Sequence, residues 1–224
     1  MEITAENVTV AIAGKNILSK RSLIATPGQT LALVGPSGCG KTTLLNVLGL
    51  LHRPNGGRVL MGGQDTSRWD DRQRRRFWQR HTAFVFQDYG LIDEETVAYN
   101  VALSQISLLG LSKRQKSRIE DALGRVGLDG RGKAKVSTLS GGEKQRVGLA
   151  RAMFKSADLI FADEPTASLD LNNRNLVTGF LQEEAARGAA VIIATHDEAL
   201  TNACDLTLRL GTAAEPLTSS YTAR

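Results

Sequence analysis

An α/β fold built on a doubly wound, mainly parallel sheet is predicted by three features of this 224-residue chain. Short apolar runs, Leu31-Ala32-Leu33-Val34, Leu159-Ile160-Phe161-Ala162 and Ile192-Ile193-Ala194, have the composition of strands covered on both faces. Helical stretches alternate with them, which is the order of a layered α/β domain. Gly35, Gln87, Asp163 and His196 fall just after such runs, where ligands bind in open parallel sheets. A small N-terminal antiparallel β layer and an inserted α-helical subdomain complete the expected architecture.

Residues 3–26 carry apolar and β-branched side chains (Ile3, Val8, Val10, Ile12, Ile17, Leu18, Leu23, Ile24) interrupted by Gly14 and closed by Pro27-Gly28. They predict the antiparallel layer. A strand over 30–34 then runs into a glycine-rich loop. Over 41–51 apolar residues stand at 44, 45, 47, 48, 50 and 51, too many for a one-sided surface helix, so this helix is expected to be buried almost all round. HRPNGG at 52–57 is a turn, and 58–61 is a short strand closed by Gly62-Gly63. A polar helix over 70–80 and an apolar strand over 82–86 lead to Gln87, after which an acidic loop over 88–95 marks a subdomain boundary. Helices over 96–111 and 112–126 are separated at Gly110 and stopped at Gly127. A link over 133–140 ends at Ser140, well placed to cap a helix over 141–156. Then follow a strand at 159–162, a helix over 172–187, a strand over 190–195, a last strand over 203–210, and a polar tail over 211–224 expected to fray.

The length suits one domain spanning 1–224. Hydrophobic residues at 42% and charged ones at 23% are near the globular average, which excludes a disordered or membrane-embedded chain. No apolar run approaches the ~18 residues of a spanning helix, and MEITAENVTV has no signal-peptide pattern, so a cytosolic protein is expected. Cys39 and Cys204, far apart in such a chain, predict reduced thiols. The net charge of +5 raises a polyanion as partner, with Arg72, Arg74, Arg75, Arg76 and Arg80 as its densest part. Acidic residues flank that run on both sides, so it reads as a solvated helix face and no nucleic-acid partner is expected.

GPSGCGKTT at 35–43 satisfies G-x-x-x-x-G-K-[ST] between a strand and a helix, the context that gives this pattern meaning. Gly35, Pro36, Ser37, Gly38, Cys39 and Gly40 form a loop whose backbone N–H groups converge on phosphate oxygens, with the helix dipole behind them. Lys41 would reach the β- and γ-phosphates, and the hydroxyl of Thr42, followed by Thr43, would take one magnesium position. A nucleoside triphosphate, ATP with Mg2+, is the implied ligand. Cys39 reads either as a reactive thiol beside Lys41 or as a small residue at a variable position.

Asp163-Glu164 ends an apolar strand, so Asp163 is expected to hold magnesium and Glu164 to polarise the water that attacks the γ-phosphate. His196 ends another buried strand in register with the other tips, which favours a phosphate contact, whereas His52 and His81 read as structural or exposed. Leu139-Ser140-Gly141-Gly142-Glu143 is a second glycine-bearing helix start, with a hydroxyl, free N–H groups and a dipole for gripping phosphate. One chain already has its phosphate loop. The economical reading is that this second site closes over the triphosphate of another copy, giving a head-to-tail homodimer with two shared nucleotides.

GPSGCGKTT, Gln87, LSGGEKQRV at 139–147, LIFADEP at 159–165, Ser168-Leu169-Asp170 and His196 occur in the order seen in ATP-binding-cassette ATPases, and the resemblance covers nearly the whole chain. It implies a nucleotide-binding core of 1–87 and 157–224 with a helical subdomain over 88–156. It also implies that Gln87 contacts magnesium and couples the site to an integral-membrane permease, that Ser168, Leu169 and Asp170 communicate across the dimer, and that His196 touches the γ-phosphate. The ATPase would then sit at the cytoplasmic face of the cell membrane. The family commonly stacks adenine on an aromatic residue in the first strand region, and none stands between Met1 and Ile24; Ile12 is nearest to that place, as base contact or as core. Phe84-Val85-Phe86-Gln87, Thr96-Val97-Ala98-Tyr99-Asn100-Val101 and the short C-terminus resemble the ATPases of lipoprotein-release and macrolide-efflux exporters. Two other readings differ in class: an ATP-switched regulatory module of a membrane complex without cargo, and a nucleic-acid-linked cassette, for which the chain lacks a second cassette or long coiled coil.

Overall fold

The computed structural model describes residues 1–103, 105, 110–167 and 169–211, together with the backbone of 222–223. Strands β1 (Ile3–Ile12) and β2 (Lys15–Ala25) form an antiparallel hairpin. With β4 (Gly56–Met61) and β5 (Gln64–Asp65) they make a four-stranded antiparallel sheet in the order β2-β1-β4-β5. The second sheet has six strands in the order β10-β9-β3-β8-β7-β6, comprising β3 (Thr30–Val34), β6 (Thr82–Val85), β7 (Leu159–Asp163), β8 (Ala190–Ala194), β9 (Leu206–Arg209) and β10 (Thr222–Ala223). All its pairings are parallel except β9 with β10. Both predicted layers are present.

The period-2 alternation of strand side chains assigns the two faces of this sheet to two cores. Leu31, Leu33, Leu159, Phe161, Ala190 and Ile192 pack toward the antiparallel layer and α1 (Lys41–Leu48), with Leu44, Leu48, Ile3 and Leu18 opposite them. Ala32, Ile160, Ala162, Val191 and Ile193 face the other way, onto α4 (Lys113–Arg125), α5 (Gly141–Lys155) and α6 (Leu171–Ala186). Every residue of β3 and β8 is buried, as a sheet covered on both faces requires.

The helices follow their local chemistry. Asp70 and Gln73 make a capping box on α2 (Asp71–His81), Ser112 and Gln115 one on α4, and Ser140 and Glu143 one on α5. α1 is buried at five of eight positions, leaving Thr42 exposed and Thr43 and Asn46 half-buried; Leu51, beyond its end, is 41% exposed. The chain leaves that helix through Leu50 at φ +59°, which ends the apolar period one turn earlier than the pattern of 41–51 implied.

Other boundaries also differ. The helix expected over 96–111 is α3 (Val97–Ala102), with 104 and 106–109 outside the described residues, as are Ser168 and the 212–221 part of the tail. The strand expected over 203–210 is confined to Leu206–Arg209 because α7 (Glu198–Asn202) occupies the connection, capped by Asp197, and the tail expected to fray pairs with it at Thr222–Ala223. That cap also draws the hydroxyl proton of Thr166 to Asp197 Oδ2 at 2.9 Å. β4 begins inside the predicted turn, at Gly56.

At the end of α5, burial pulls the Lys155 ammonium down to about 8, with Arg151 adding like-charge repulsion. Below about pH 8 both folded and unfolded chains carry this proton, and the burial penalty is complete. Between about 8 and the ordinary 10.5 the unfolded chain still binds a proton that the folded one has lost, so stability rises with pH. Urea midpoints should therefore give a gain of about 2 kcal/mol from pH 7.5 to pH 10 in the parent, and a flatter profile for Lys155→Met.

Candidate functional site

The carboxyl ends of β3, β6, β7 and β8 bring the sequence-derived residues together. Gly35 leaves β3 at φ +155°, where a Cβ would stand 2.4 Å from the Leu210 carbonyl and 2.8 Å from Cys39 Sγ. Only glycine fits there. Cys39 is 7% exposed and packs in the core with Leu44 and Leu45, so it fills space inside the loop; both cysteines are free, and burial raises the Cys204 thiol to about 11. Gly40, at φ +96°, makes the turn into α1 while pressed against Leu18. Among the described residues the N–H groups of Ser37, Gly38 and Gly40 have no protein acceptor, which leaves them directed to a ligand or water. Lys41 is 9% exposed and donates from Nζ to the carbonyls of Gly35 (2.9 Å) and Pro36 (3.3 Å), so its charge lies against the loop's own start.

Thr42, one residue on, donates its hydroxyl to Asp163 Oδ1 at 3.0 Å, joining α1 to the tip of β7 across the sheet. Burial raises the Asp163 carboxyl above its ordinary range, Glu164 adding to the effect while Thr42 and Lys41 oppose it. A cation beside it would relieve that cost. Glu164 follows at φ +44°, a left-handed conformation rare for a side chain of its size, and its N–H donates to the Ala194 carbonyl at 2.8 Å. The pairing of Asp163 with Ala194 in the β7–β8 ladder is the reason these tips lie side by side. Glu164 Oε2 accepts the backbone N–H of His196 at 3.3 Å and lies 2.8 Å from His196 Nδ1. The imidazole thus lies beside the Glu164 carboxylate on a side chain that is 72% exposed. Around this corner a cleft of about 450 Å³ opens between Gly35, Pro36, His196, Glu198 and Arg209.

The second predicted anion site is built differently from expectation in one respect. Ser140 Oγ accepts Glu143 N–H at 3.3 Å and gives its proton to Glu143 Oε2 at 2.9 Å, so the hydroxyl is already engaged. The backbone bond from Ser140 holds the Glu143 carboxyl below its ordinary range, and Arg131 stands 3.3 Å from its other oxygen. A phosphate approaching this turn has to draw the hydroxyl away from Glu143. Gly141 lies under Tyr89, whose hydroxyl would be 3.1 Å from a Cβ; Gly142 faces Asn173.

Gln87, exposed just beyond β6, makes no hydrogen bond among the described residues. Its loop is fixed by Arg151, a residue that sequence reasoning missed: its guanidinium binds the Tyr89 carbonyl at 3.0 Å and the Gly90 carbonyl. Gln145, also missed, is 4% exposed and donates to the Pro165 carbonyl at 2.9 Å, tying α5 to the turn after Glu164. Gln145 lies within the LSGGEKQRV stretch but has no assigned role there, and Arg151, outside every motif, carries no sequence signal of its own. Asp170 caps α6 through Asn173 N–H, and Leu169 is buried. Ile12, at the end of β1, is 49% exposed and so is no part of the core. His81 is structural, paired with Asp158 at 2.6 Å.

The sequence profile of the family described as ABC transporter matches residues 18–167. The chain belongs to the ABC transporter family. Among similar proteins, the lipoprotein-releasing system ATP-binding protein LolD of Maricaulis maris is 40% identical over 202 residues, 89% of this cassette and 88% of its own length. The macrolide export ATP-binding/permease protein MacB of Burkholderia pseudomallei is 38% identical over 182 residues; the match covers 81% of this cassette and 28% of that longer chain. The dimeric structure of MJ0796, a bacterial ABC transporter cassette, superposes with a TM-score of 0.85 at 28% identity over 94% of this chain and 95% of that one. The same cassette bound to ADP and Pi after hydrolysis also gives 0.85 at 28% identity, over 97% and 99%. This ABC cassette is therefore an ATP-binding, ATP-hydrolysing transporter subunit. No helix among its described residues is long and apolar enough to cross a membrane.

Gly35→Ala should destabilise the cassette by about 1–3 kcal/mol and weaken nucleotide binding, since the backbone of Leu210 stands in the way. Gly38→Ala has open space around its φ of +76° and should cost about 1 kcal/mol of backbone strain. Urea unfolding and titration with a fluorescent nucleotide would rank the two.

Proposed function

We propose that two copies of this cassette close head to tail around two Mg-ATP molecules and drive a separate integral-membrane permease that exports an amphiphilic cargo. The observation that carries the reading is the corner where Thr42–Asp163 and Glu164–His196 meet, with Glu164 held in a strained backbone conformation beside both. Strain of this kind persists where the surroundings enforce it, and it concentrates at working sites. The names of the relatives, a lipoprotein-releasing ATPase and a macrolide exporter, support the cargo class and direction.

Magnesium fits the donors at this corner. Thr42 Oγ1 and Asp163 Oδ1 are hard oxygen ligands 3.0 Å apart, and the raised Asp163 carboxyl gains from a neighbouring cation. No group of three or more His, Cys, Asp or Glu among the described residues forms a cage, so the remaining ligands are phosphate oxygens, water and the Gln87 amide. When bound, magnesium supplies neutralisation of charge on the β- and γ-phosphates.

The residues divide the remaining work. The loop of Gly35, Pro36, Ser37, Gly38, Cys39 and Gly40, with Thr43, wraps the phosphates, the N–H groups of Ser37, Gly38 and Gly40 donating to them, and Lys41 turns from its loop carbonyls to the β- and γ-oxygens. Glu164 orients the attacking water and takes its proton as the water oxygen bonds to the γ-phosphorus and the bond from that phosphorus to the β–γ bridging oxygen breaks, so that ADP and phosphate leave. His196, oriented at Nδ1 by Glu164, offers Nε2 to a γ-phosphate oxygen. Ser140, Gly141, Gly142 and Glu143 of the other copy close the site from the start of α5, and Ser168, Leu169 and Asp170 carry the closure across the dimer. Ile12, exposed at the edge of β1, meets the adenine by aliphatic contact. Residues 1–87 and 157–224 act as the nucleotide core, and 88–156 as a helical subdomain that turns with the loop after Gln87. The assembled complex works at the cytoplasmic face of the membrane that holds its permease.

Glu164→Gln should keep ATP affinity, lower turnover by about 10² to 10⁴ fold, and accumulate as a nucleotide-dependent dimer in light scattering. Turnover at the parent rate in that variant would refute the role given to Glu164, and a monomer with ATP bound would refute the shared site. Lys41→Ala should lose nucleotide binding or turnover, read by the same titration and by phosphate release.

A further inference from the structure

Away from the nucleotide corner, a cavity of about 180 Å³ lies where the end of α1, the turn into β4 and the first turns of α2 meet. Its wall includes Leu50, Arg53, Asn55, Gly57, Ser67 and Arg74. Arg74 belongs to the arginine run read from the sequence as a solvated helix face, but it departs from that reading. It is 7% exposed, whereas Arg72, Arg75, Arg76 and Arg80 are exposed.

The charges around this cavity do not balance. Arg74 Nη1 donates to the Leu50 carbonyl at 3.2 Å, and its Nε is buried with no acceptor. Arg53 lines the same space, held through Nη2 on the Trp69 carbonyl at 2.9 Å. Burial first, and the proximity of Arg53 second, lower the Arg74 pKa, which places two guanidiniums close together. The nearby carboxylates offset these two charges only in part, Asp71 being the one that acts on Arg74 as well as on Arg53. Asp71 stands 3.9 Å from Arg53 on a side chain that is 90% exposed, and Asp65 accepts the Ser67 N–H at 2.8 Å and faces Arg58 at 3.9 Å. A buried cation without a counter-charge is costly, and a fork of N–H donors matches tetrahedral oxyanions closely. Asn55 adds a further donor: its Oδ1 accepts the Ala11 N–H at 2.8 Å, leaving the amide nitrogen without an acceptor among the described residues.

We propose that this cavity binds one phosphate-type oxyanion between Arg53 and Arg74, with the Asn55 amide as a third donor. The group is either free inorganic phosphate or the phosphate of an anionic phospholipid headgroup, which share this chemistry. The site is distinct from the phosphate loop and works whether or not that loop is filled.

The test is calorimetric titration of inorganic phosphate into the full cassette saturated with magnesium and a non-hydrolysable ATP analogue, so that the phosphate loop is occupied. In parallel, flotation uses phosphatidylcholine vesicles with and without phosphatidic acid. Arg53→Gln should weaken binding about tenfold or more, since a charge-assisted pair is lost from a side chain exposed enough to leave the fold intact. Arg74→Lys should weaken it as well, and Arg58→Gln, whose guanidinium is paired with Glu6, should not. Arg53-dependent capture on phosphatidic acid identifies a headgroup site; Arg53-dependent phosphate binding without capture identifies a free oxyanion. Absence of binding in both arms, or binding that Arg53→Gln leaves unchanged, overturns the proposal.

Discussion

Burial of the parallel sheet on both faces is the constraint from which the rest of this molecule follows. With every residue of β3 and β8 shielded from water, no polar chemistry can sit along the strands, and it is confined to their ends. The ladder then decides which ends meet. Because Asp163 pairs with Ala194, the residues one and two positions beyond, Glu164 and His196, are delivered to the same corner. Thr42 reaches them from α1 because the loop between β3 and α1 turns the chain back over the sheet edge, and the hydroxyl of Thr42 meets Asp163 there.

Some of the molecule's unusual backbone geometry lies at these same tips. Gly35 leaves β3 where any side chain would strike the Leu210 carbonyl, and that close approach links the phosphate loop to the residue that follows β9, the neighbour of β3 in the sheet. Glu164 and Tyr89 hold positive φ values of +44° and +65° without being glycine. In each case a second contact enforces the conformation: Ala194 and His196 for Glu164, and Arg151 for the Tyr89–Gly90 carbonyls. Arg151 and Tyr89 also join the loop that carries Gln87 to both ends of α5, one through its guanidinium and the other by covering Gly141.

Much of this was legible in the residues, and what was not has physical causes. The strands could be read because full burial leaves uninterrupted apolar runs such as Leu159-Ile160-Phe161-Ala162, and the phosphate loop because its glycines are demanded by backbone geometry at Gly35 and Gly40. The capping box at Ser140 was visible as an N-cap, but the engagement of its hydroxyl with Glu143 depends on a rotamer that spacing does not reveal. The short helix α7 escaped because five residues carry too little period, although Asp197 ahead of it was a cap in plain view. Arg74 looked like its exposed neighbours, because burial of one arginine in a run is decided by where α2 packs and not by the run itself. Gln145 and Arg151 act through main-chain carbonyls, which every residue possesses, so no side-chain pattern marks their partners.

The pairing of Glu164 with His196 has a consequence for economy in the cell. In the single chain the Glu164 carboxylate is already engaged by the imidazole and the backbone amide of His196. On the function proposed for this corner, a lone copy would idle, and it would spend little fuel until a second copy and its nucleotide rearrange that contact.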